Sequence, residues 1–403
     1  MTHVRTALII GGGIAGPAAA MALQKAGIDA AVYEAHAGGA EGVGTFLTLG
    51  SNGIDALRVI GADERAVAAG FPTPGIVLRS TTGKRLGVAR IDAALPDGIT
   101  SHTLTRSDLY RALREEACAR GIRFEHGRRL AHAVETADGV VATFADGTEA
   151  AGDLLVGCDG VHSTVRPIID PRAPEPTYAG LVNVGGQAHG VDAESEPGSY
   201  TMIFGRRAFF GYAVAPDGDV WWFANLPSRE EPARGDLAAV DAAEWRRRLV
   251  DLFRDDAGPA VRTLEATPDV AIGGASTFHV IPHLPVWQRG RMVVIGDAAH
   301  APSPSSGQGA SLSIEDAVVL AKCLRDVPDH GQALARFEAL RRPRVERIIR
   351  AAARVNSSKA AGPVGQVVRD AMMPLFMRLL ATGRQVQEVY GYRIDWDAPD
   401  QAA

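Results

Sequence analysis

The first 34 residues change hydrophobic period twice. Ala7–Ile10 is a short continuous apolar run, the pattern of a strand buried on both faces, and Gly11-Gly12-Gly13-Ile14-Ala15-Gly16 follows at once. Ala20, Leu23 and Gly27 then recur at helical spacing, and a second apolar run, Asp29 to Tyr33, ends in Glu34. The pattern predicts a strand, a tight turn, a helix and a second strand. Thr6 to Gln24 carries no charge and follows Arg5, as a signal sequence or a membrane span would. Three consecutive glycines and Pro17 argue against a spanning helix, and Pro17 suits a first helical turn, where its missing N–H is not needed. A buried β-turn-α unit is expected, with no evident targeting sequence.

Further along, Gly53 to Gly70 reads as helical, with Ile54, Leu57, Val59 and Ile60 as its apolar face. Ile76 to Asp92 alternates around Thr82-Gly83-Lys84 and predicts a hairpin. Thr105-Arg106-Ser107-Asp108 opens a helix carrying Leu109, Leu113 and Ala117. Ile122–Glu125 and Leu154–Val156 read as strands, and Asp146-Gly147 joins a second hairpin, Val140–Phe144 with Thr148–Ala151. From Leu181 to Phe278 strand alternation dominates, with Tyr200–Phe204, Ala208–Ala215 and Val220–Ala224 predicting an antiparallel sheet with an apolar and aromatic face. Met292–Ile295 returns as a buried strand, and the rest is helical almost to the end.

Composition narrows the class. At 403 residues, two domains plus an extension are expected. A hydrophobic content of 46%, a charged content of 22% and a net charge of −5 describe an ordinary globular protein, with no basic face for nucleic acid. Trp245-Arg246-Arg247-Arg248 and Arg341-Arg342-Pro343-Arg344 read as solvated helix faces. Cys118, Cys158 and Cys323 lack metal or disulfide spacing and read as small core residues, so a reducing cytoplasmic setting is expected. Asn356-Ser357-Ser358 fits a glycosylation acceptor by pattern only. Met372-Met373-Pro374-Leu375-Phe376-Met377 is expected to dock on the protein itself rather than on a membrane or a second subunit.

Three segments carry chemistry. In the first, Gly11 permits the turn, Gly13 lets the backbone approach a pyrophosphate, and Gly16 lets the helix close on the strand. Glu34 lies about 20 residues on, where an acid grips a ribose hydroxyl. The second runs from Asp153 through Asp159-Gly160 to Arg166. The third is Gly296-Asp297-Ala298-Ala299-His300, followed by Pro302, Pro304, Gly307-Gln308-Gly309 and Glu315-Asp316-Ala317. Arg106 at a helix start favours phosphate, the alternative being a surface arginine. Asp297 at the end of an apolar strand faces a ligand crevice, the alternative being a helix cap. Glu315 and Asp316 read as first-turn charges on a helix starting near Ala310, and His300 as structural. His279 and His283 flank Pro282, which spoils helical metal-ligand spacing, so no metal site is expected. Motifs of zinc proteases, serine hydrolases and P-loop proteins are absent.

Together these segments resemble the FAD-dependent aromatic hydroxylases, single-component flavin monooxygenases related to p-hydroxybenzoate hydroxylase, from about Val4 to Leu340. The resemblance implies an α/β fold: a Rossmann-like FAD domain (1–72, 100–178 and 279–330), a mainly antiparallel substrate domain (73–99 and 179–278), and a C-terminal helical segment (331–403). It implies that Gly11, Gly13 and Gly16, with the backbone at Ile14 and Ala15, hold the FAD pyrophosphate. Glu34 would take the adenosine ribose, and Arg106 the phosphates or ribityl chain. Asp159 and Gly160 would sit by the pyrophosphate and Asp297 by the ribityl chain. Gly307, Gln308 and Gly309 would lie under the isoalloxazine, with the helix behind them aimed at its pyrimidine. Ser311 departs from the asparagine frequent in relatives. Halogenase relatives carry a W-x-W-x-I-P motif that Val220–Asn225 does not match, so Trp221 and Trp222 read as sheet and pocket wall.

The activity implied is NAD(P)H- and O2-dependent hydroxylation of an aromatic or polycyclic small molecule through a flavin hydroperoxide, NAD(P)H binding transiently. Epoxidation, Baeyer–Villiger insertion, a reductase, or a non-catalytic flavoprotein sensor are the alternatives. No catalytic side chain is assigned; Tyr212 and His283 are weak candidates. Substrate identity and oligomeric state leave no sequence signal.

Overall fold

The computed structural model describes residues 4–38, 45–195, 200–233, 235–359, 370–373 and 383–399, the side chains at 305 and 353–359 excepted. Six strands lie in the order Gln288–Arg289, Met292–Val294, Leu154–Gly157, Thr6–Ile10, Asp29–Glu34 and Arg123–His126. All neighbours are parallel except at the Gln288–Arg289 edge. Their apolar runs suit a sheet covered on both faces. Ile10 is in register with Gly157 and Tyr33, and Gly157 with Val294. The four central strands therefore finish at one edge. This gathers the Gly11 turn, Glu34, Asp159 and Asp297 where open α/β sheets bind ligands.

The glycine turn is held by close approach. Gly11 has φ +104°, and a Cβ there would stand 2.5 Å from the Cys158 carbonyl oxygen. A Cβ on Gly16 would collide with the Gly11 carbonyl oxygen, so the helix Ala15–Lys25 starts against the turn itself. On its far side packs the helix Gly309–Asp326, and against that the 30-residue helix His330–Lys359.

A seven-stranded sheet runs Ser276–Val280, Thr177–Ala188, Val220–Pro227, Phe209–Val214, Tyr200–Phe204, Gly75–Ser80 and Arg85–Arg90. It is antiparallel except between Tyr200–Phe204 and Gly75–Ser80. Strand alternation gives it two unlike faces. Phe210, Tyr212, Val214, Trp222 and Ala224 pack under the helices Ala242–Phe253 and Ala260–Ala266 through Trp245, Leu249, Phe253 and Leu264. Each such large side chain contributes about 1.5–3 kcal/mol by burial. On the other face Tyr200, Phe204, Phe209 and Ala213 join Phe71, Ile76 and Leu78, with Phe46, Met202, Trp221 and Phe223 half-buried.

The sheet and motif expectations agree with this fold, and several local ones are corrected. The stretch from Gly53 to Gly70 is two helices, Ser51–Val59 and Asp63–Ala68, because Gly61 adopts φ +65° and ends the first. Two helices interrupt the region read as strands from Leu181 to Phe278. Cys158 and Cys323 are buried, but Cys118 is exposed. Trp245 is buried, while Arg247 and Arg248 are solvated and paired with Glu244. Met372 is exposed and Met373 packs on the aromatic face; residues 374–377 of that stretch lie outside the described residues. Asn356-Ser357-Ser358 lies within the His330–Lys359 helix, its side chains outside the description. Among the described residues no helix is long and apolar enough to cross a membrane.

Replacing Gly16 by Ala should lower stability by about 1–3 kcal/mol, because the added carbon meets backbone rather than a movable side chain. Urea unfolding followed by circular dichroism checks it; an unchanged midpoint would show that the helix start can shift freely.

Candidate active site

At the shared strand edge Glu34 is buried and bridges two backbone donors. Gly12 N–H donates to its Oε2 and His36 N–H to its Oε1, both at 2.8 Å. The carboxylate so braces the glycine turn. No atom lies within 4 Å of where a Gly13 Cβ would stand, so the turn is open at that point. Ile14 and Ala15 begin the helix, and no side chain caps its first N–H groups.

Asp159 accepts from Thr164 N–H (2.6 Å) and Val165 N–H (3.1 Å) through Oδ2, while its Oδ1 is buried with no partner. Burial pushes its carboxyl up, against hydrogen bonds from Ser163, Val165 and Thr164. Gly160 follows with φ +77°. Arg166, also buried, donates to the Ala298 and Val161 carbonyls and fastens this loop to the third motif. Burial pushes the neighbouring Cys158 thiol well up, which removes it as a nucleophile.

Asp297 faces Gly309: a Cβ there would stand 3.8 Å from Asp297 Oδ1. Burial raises the Asp297 carboxyl, and His300 and Arg106 oppose that rise. Arg106, the exposed first residue of the helix Arg106–Ala119, thus shares the field of Asp297. Thr105 caps this helix by accepting from Asp108 N–H at 3.0 Å. Gln308 is buried; its Oε1 accepts from Asn52 and its Nε2 has no partner. Gly307 precedes it with φ +59°. No side chain caps the Gly309 helix, leaving its positive end open. Ser311, in place of the frequent asparagine, accepts from Gly50 N–H at 3.0 Å.

Behind that end lies a buried charge cluster. Arg341 pairs with Glu315 and with Asp316, each at 2.7 Å, and all three are 0% exposed. Arg344 holds Glu315 at 2.8 Å and reaches the Glu388 and Val389 carbonyls. Asp316 also accepts from Gly296 N–H (3.0 Å) and contacts His300 Nε2 (2.5 Å). Burial alone would raise Asp316, but His300 and Arg341 outweigh it and hold the carboxyl at about 2. Glu315 is likewise lowered, Arg341 and Arg344 overcoming burial. Two expectations are corrected here. Arg341 is buried rather than solvated, and Glu315 and Asp316 lie beyond the first turn of a helix that starts at Gly309. His300 is buried between Asp316 and the Trp287 ring.

The weak catalytic candidates stand apart from this edge. Tyr212 is on the helix-covered face and donates to the Ala193 carbonyl; His283 is exposed and faces Glu346. His279 pairs with Glu231 and stacks edge-on to His162. Among the described residues no three His, Cys, Asp or Glu side chains group as metal ligands.

A family model described as FAD binding domain matches residues 4–352. The chain belongs to the FAD-dependent aromatic hydroxylase family. It is 31% identical to the aurachin C monooxygenase/isomerase of Stigmatella aurantiaca, over 90% of each chain. It is also 31% identical to the FAD-dependent urate hydroxylase of Klebsiella pneumoniae, over 85% of this chain and 87% of that one. The crystal structure of Klebsiella pneumoniae HpxO complexed with FAD and uric acid superimposes with a TM-score of 0.83 at 26% identity, covering 96% and 97% of the chains. The protein is thus an FAD-binding monooxygenase that uses O2. Sequence reasoning missed Asn52, Arg341, Arg344, Tyr390 and the aromatic residue Phe46. Of these, Arg341 alone left a signal, occupying the apolar stripe of Leu334, Phe337, Val345 and Ile348.

Substituting Met for Arg341 should strip Glu315 and Asp316 of their shared cation and cost about 3–5 kcal/mol, read by denaturant titration of the FAD-loaded protein. A group held below its ordinary value of 3.8 stabilises the fold above that pH and stops doing so as pH falls through about 2. The wild type should therefore lose stability between pH about 4 and about 2 more steeply than Asp316→Asn. Parallel acid limbs in the two proteins would refute that assignment.

Proposed function

We propose that the chain hydroxylates a planar aromatic or polycyclic small molecule, taking electrons from NAD(P)H and oxygen from O2. One observation carries this: the aromatic face of the seven-stranded sheet meets the strand edge that gathers the three motifs. Phe46 lies 5.7 Å from Tyr200, 6.1 Å from Trp221 and 5.7 Å from Phe223, ring centre to ring centre. It joins the sheet to Thr45, whose carbonyl accepts from Arg106 N–H at 2.9 Å. Relatives support the reading by name: one is an FAD-dependent urate hydroxylase, and one solved structure is complexed with FAD and uric acid.

The residues present fit an FAD. The space beside Gly13, the unpartnered Asp159 Oδ1 and the unpartnered Gln308 Nε2 all lie along one edge. In this reading Gly11, whose own N–H is taken by the Tyr33 carbonyl, shapes the turn, and the backbone of Gly13, Ile14, Ala15 and Gly16 would donate to the pyrophosphate, with Asp159 and Gly160 alongside. Glu34 takes a ribose hydroxyl on the lone pairs its two backbone bonds leave. Arg106 neutralises phosphate, Asp297 accepts from the ribityl chain, and Gly307, Gln308 and Gly309 lie under the ring system. The open end of the Gly309 helix favours negative charge on the nearby ring edge. FAD when bound supplies the redox chemistry; the chain's own part is to orient both partners and exclude water. Residues 1–72, 100–178 and 279–330 then form the cofactor domain, 73–99 with 179–278 the substrate domain, and 331–403 the C-terminal segment.

Anaerobic addition of NADPH or NADH should bleach the oxidised-flavin spectrum, faster with a bound ring compound. Labelled O2 should then leave one labelled atom in the product. A flavin reduced readily but never yielding oxygenated product would overturn the reading in favour of a reductase. Gly13→Ala should leave the apo fold as stable as wild type, because the added methyl meets nothing, yet weaken FAD binding at least tenfold. Fluorescence titration with FAD beside a thermal melt of the apoprotein separates the two effects.

A further inference from the structure

The aromatic face of the sheet carries a pair of buried amides. Strand register aligns Phe204, Phe209, Asn225 and Asn183 in one row across four strands, and Met202, Gly211, Phe223 and Gly185 in the next. Asn225 is 3% exposed and Asn183 7%, and the two amides bond to each other, Asn225 Nδ2 donating to Asn183 Oδ1 at 3.0 Å. Asn183 Nδ2 and Asn225 Oδ1 have no partner among the described residues. If both amides were turned over, the bond would persist and the pair would still leave one donor and one acceptor. Neither of these two atoms is sealed from solvent, so the free donor and acceptor stand open to a ligand rather than locked in the core.

The place of the pair matters as much as its chemistry. A Cβ on Gly185 would collide with the Thr45 side chain, so the segment leading to Phe46 lies against the sheet there. At the other end of the same strand Tyr178 pairs with His279, whose ring lies 4.8 Å from His162 in the second motif. Asn183 falls between these two touching points, on the side of the sheet that looks towards the collected motifs. The rows around it hold no charged side chain: Ala213, Gln187 and Trp221 flank Tyr200, whose hydroxyl burial pushes well up and so keeps neutral.

We propose that Asn183 and Asn225 read the edge of the substrate ring, and that the substrate is a planar, uncharged ring carrying an N–H beside a C=O, that is, a cyclic lactam or its tautomer. The ring lies against the half-buried Phe223 while its N–H donates to one amide oxygen and its C=O accepts from the other amide's N–H. An anionic ring is disfavoured, since this face offers no cation. The inference rests on the cleft being the substrate site.

The test uses the FAD-loaded protein and three bicyclic probes: carbostyril, N-methylcarbostyril, and a C-methylated isomer of equal size. Binding is read from the perturbed flavin absorbance. Carbostyril and the C-methyl isomer should bind at least tenfold more tightly than the N-methyl compound, and Asn225→Leu or Asn183→Leu should reduce that ratio to near one. The wild-type comparison needs no variant, so a variant that fails to fold leaves the test intact. Equal binding of all three probes overturns the lactam inference and leaves the cleft reading standing. If none perturbs a flavin that is visibly bound, both the cleft reading and the inference fall.

Discussion

The third-motif side of the cofactor edge is tied to one buried cation. Arg341 sits at 0% exposure between Glu315 and Asp316, and with Arg344 the cluster sums to two positive and two negative charges. Removing so many ions from water costs several kcal/mol per ion, and mutual attraction offsets this only where geometry is tight. Such a cluster is therefore a poor source of stability relative to an apolar core, and a good source of uniqueness. Each charge accepts only one arrangement. Asp316 also holds the Gly296 N–H and His300, Glu315 holds Asn52, and Asn52 holds Gln308. The third motif, the start of the Gly309 helix and the helix Ser51–Val59 are consequently placed by the same four charges.

The C-terminal segment is fixed to that cluster as well. Arg344 bonds the Glu388 and Val389 carbonyls, the rings of Tyr392 and Trp396 lie against arginines, and Ser51 donates to the Tyr390 carbonyl. Tyr390 itself packs on the aromatic face, its hydroxyl raised by burial to about 12 and hence neutral across the working range. A segment that reads as a simple helical extension thus brings Met373 and Tyr390 onto the aromatic face.

What could be read from sequence divides along physical lines. The motifs around Gly11, Asp159 and Asp297 were legible because their constraints are local: a turn, a close approach, an apolar strand ending in an acid. The sheet was legible from alternation. Arg341 was not, because Arg341-Arg342-Pro343-Arg344 has the composition of a solvated face, and its partners lie 25 residues or more away. Periodicity was the better guide there, since a charge in the apolar stripe of a helix must find a partner inside. Glu315 and Asp316 yielded to the opposite error: helix-dipole complementarity explains an acid in a first turn, but this helix begins at Gly309. The two helices between Ala242 and Ala266 escaped notice because neighbouring strands set the expectation.

The same division explains where selectivity resides. In the reading proposed above, the residues that would hold the nucleotide work largely through backbone donors and glycines, so their pattern is narrow and easily recognised. In the same proposal the opposing wall would work through side-chain volume and two amides on strands whose alternation is satisfied by any apolar residue of suitable size. Leu at 183 or 225 would preserve the alternation while deleting one half of the amide pair on that face. Alternation is therefore silent about the substrate, although the register that alternation creates brings Asn183 and Asn225 together. Chemistry common to the family is written in local motifs, and the choice of ring in pairs that meet only after the sheet has formed.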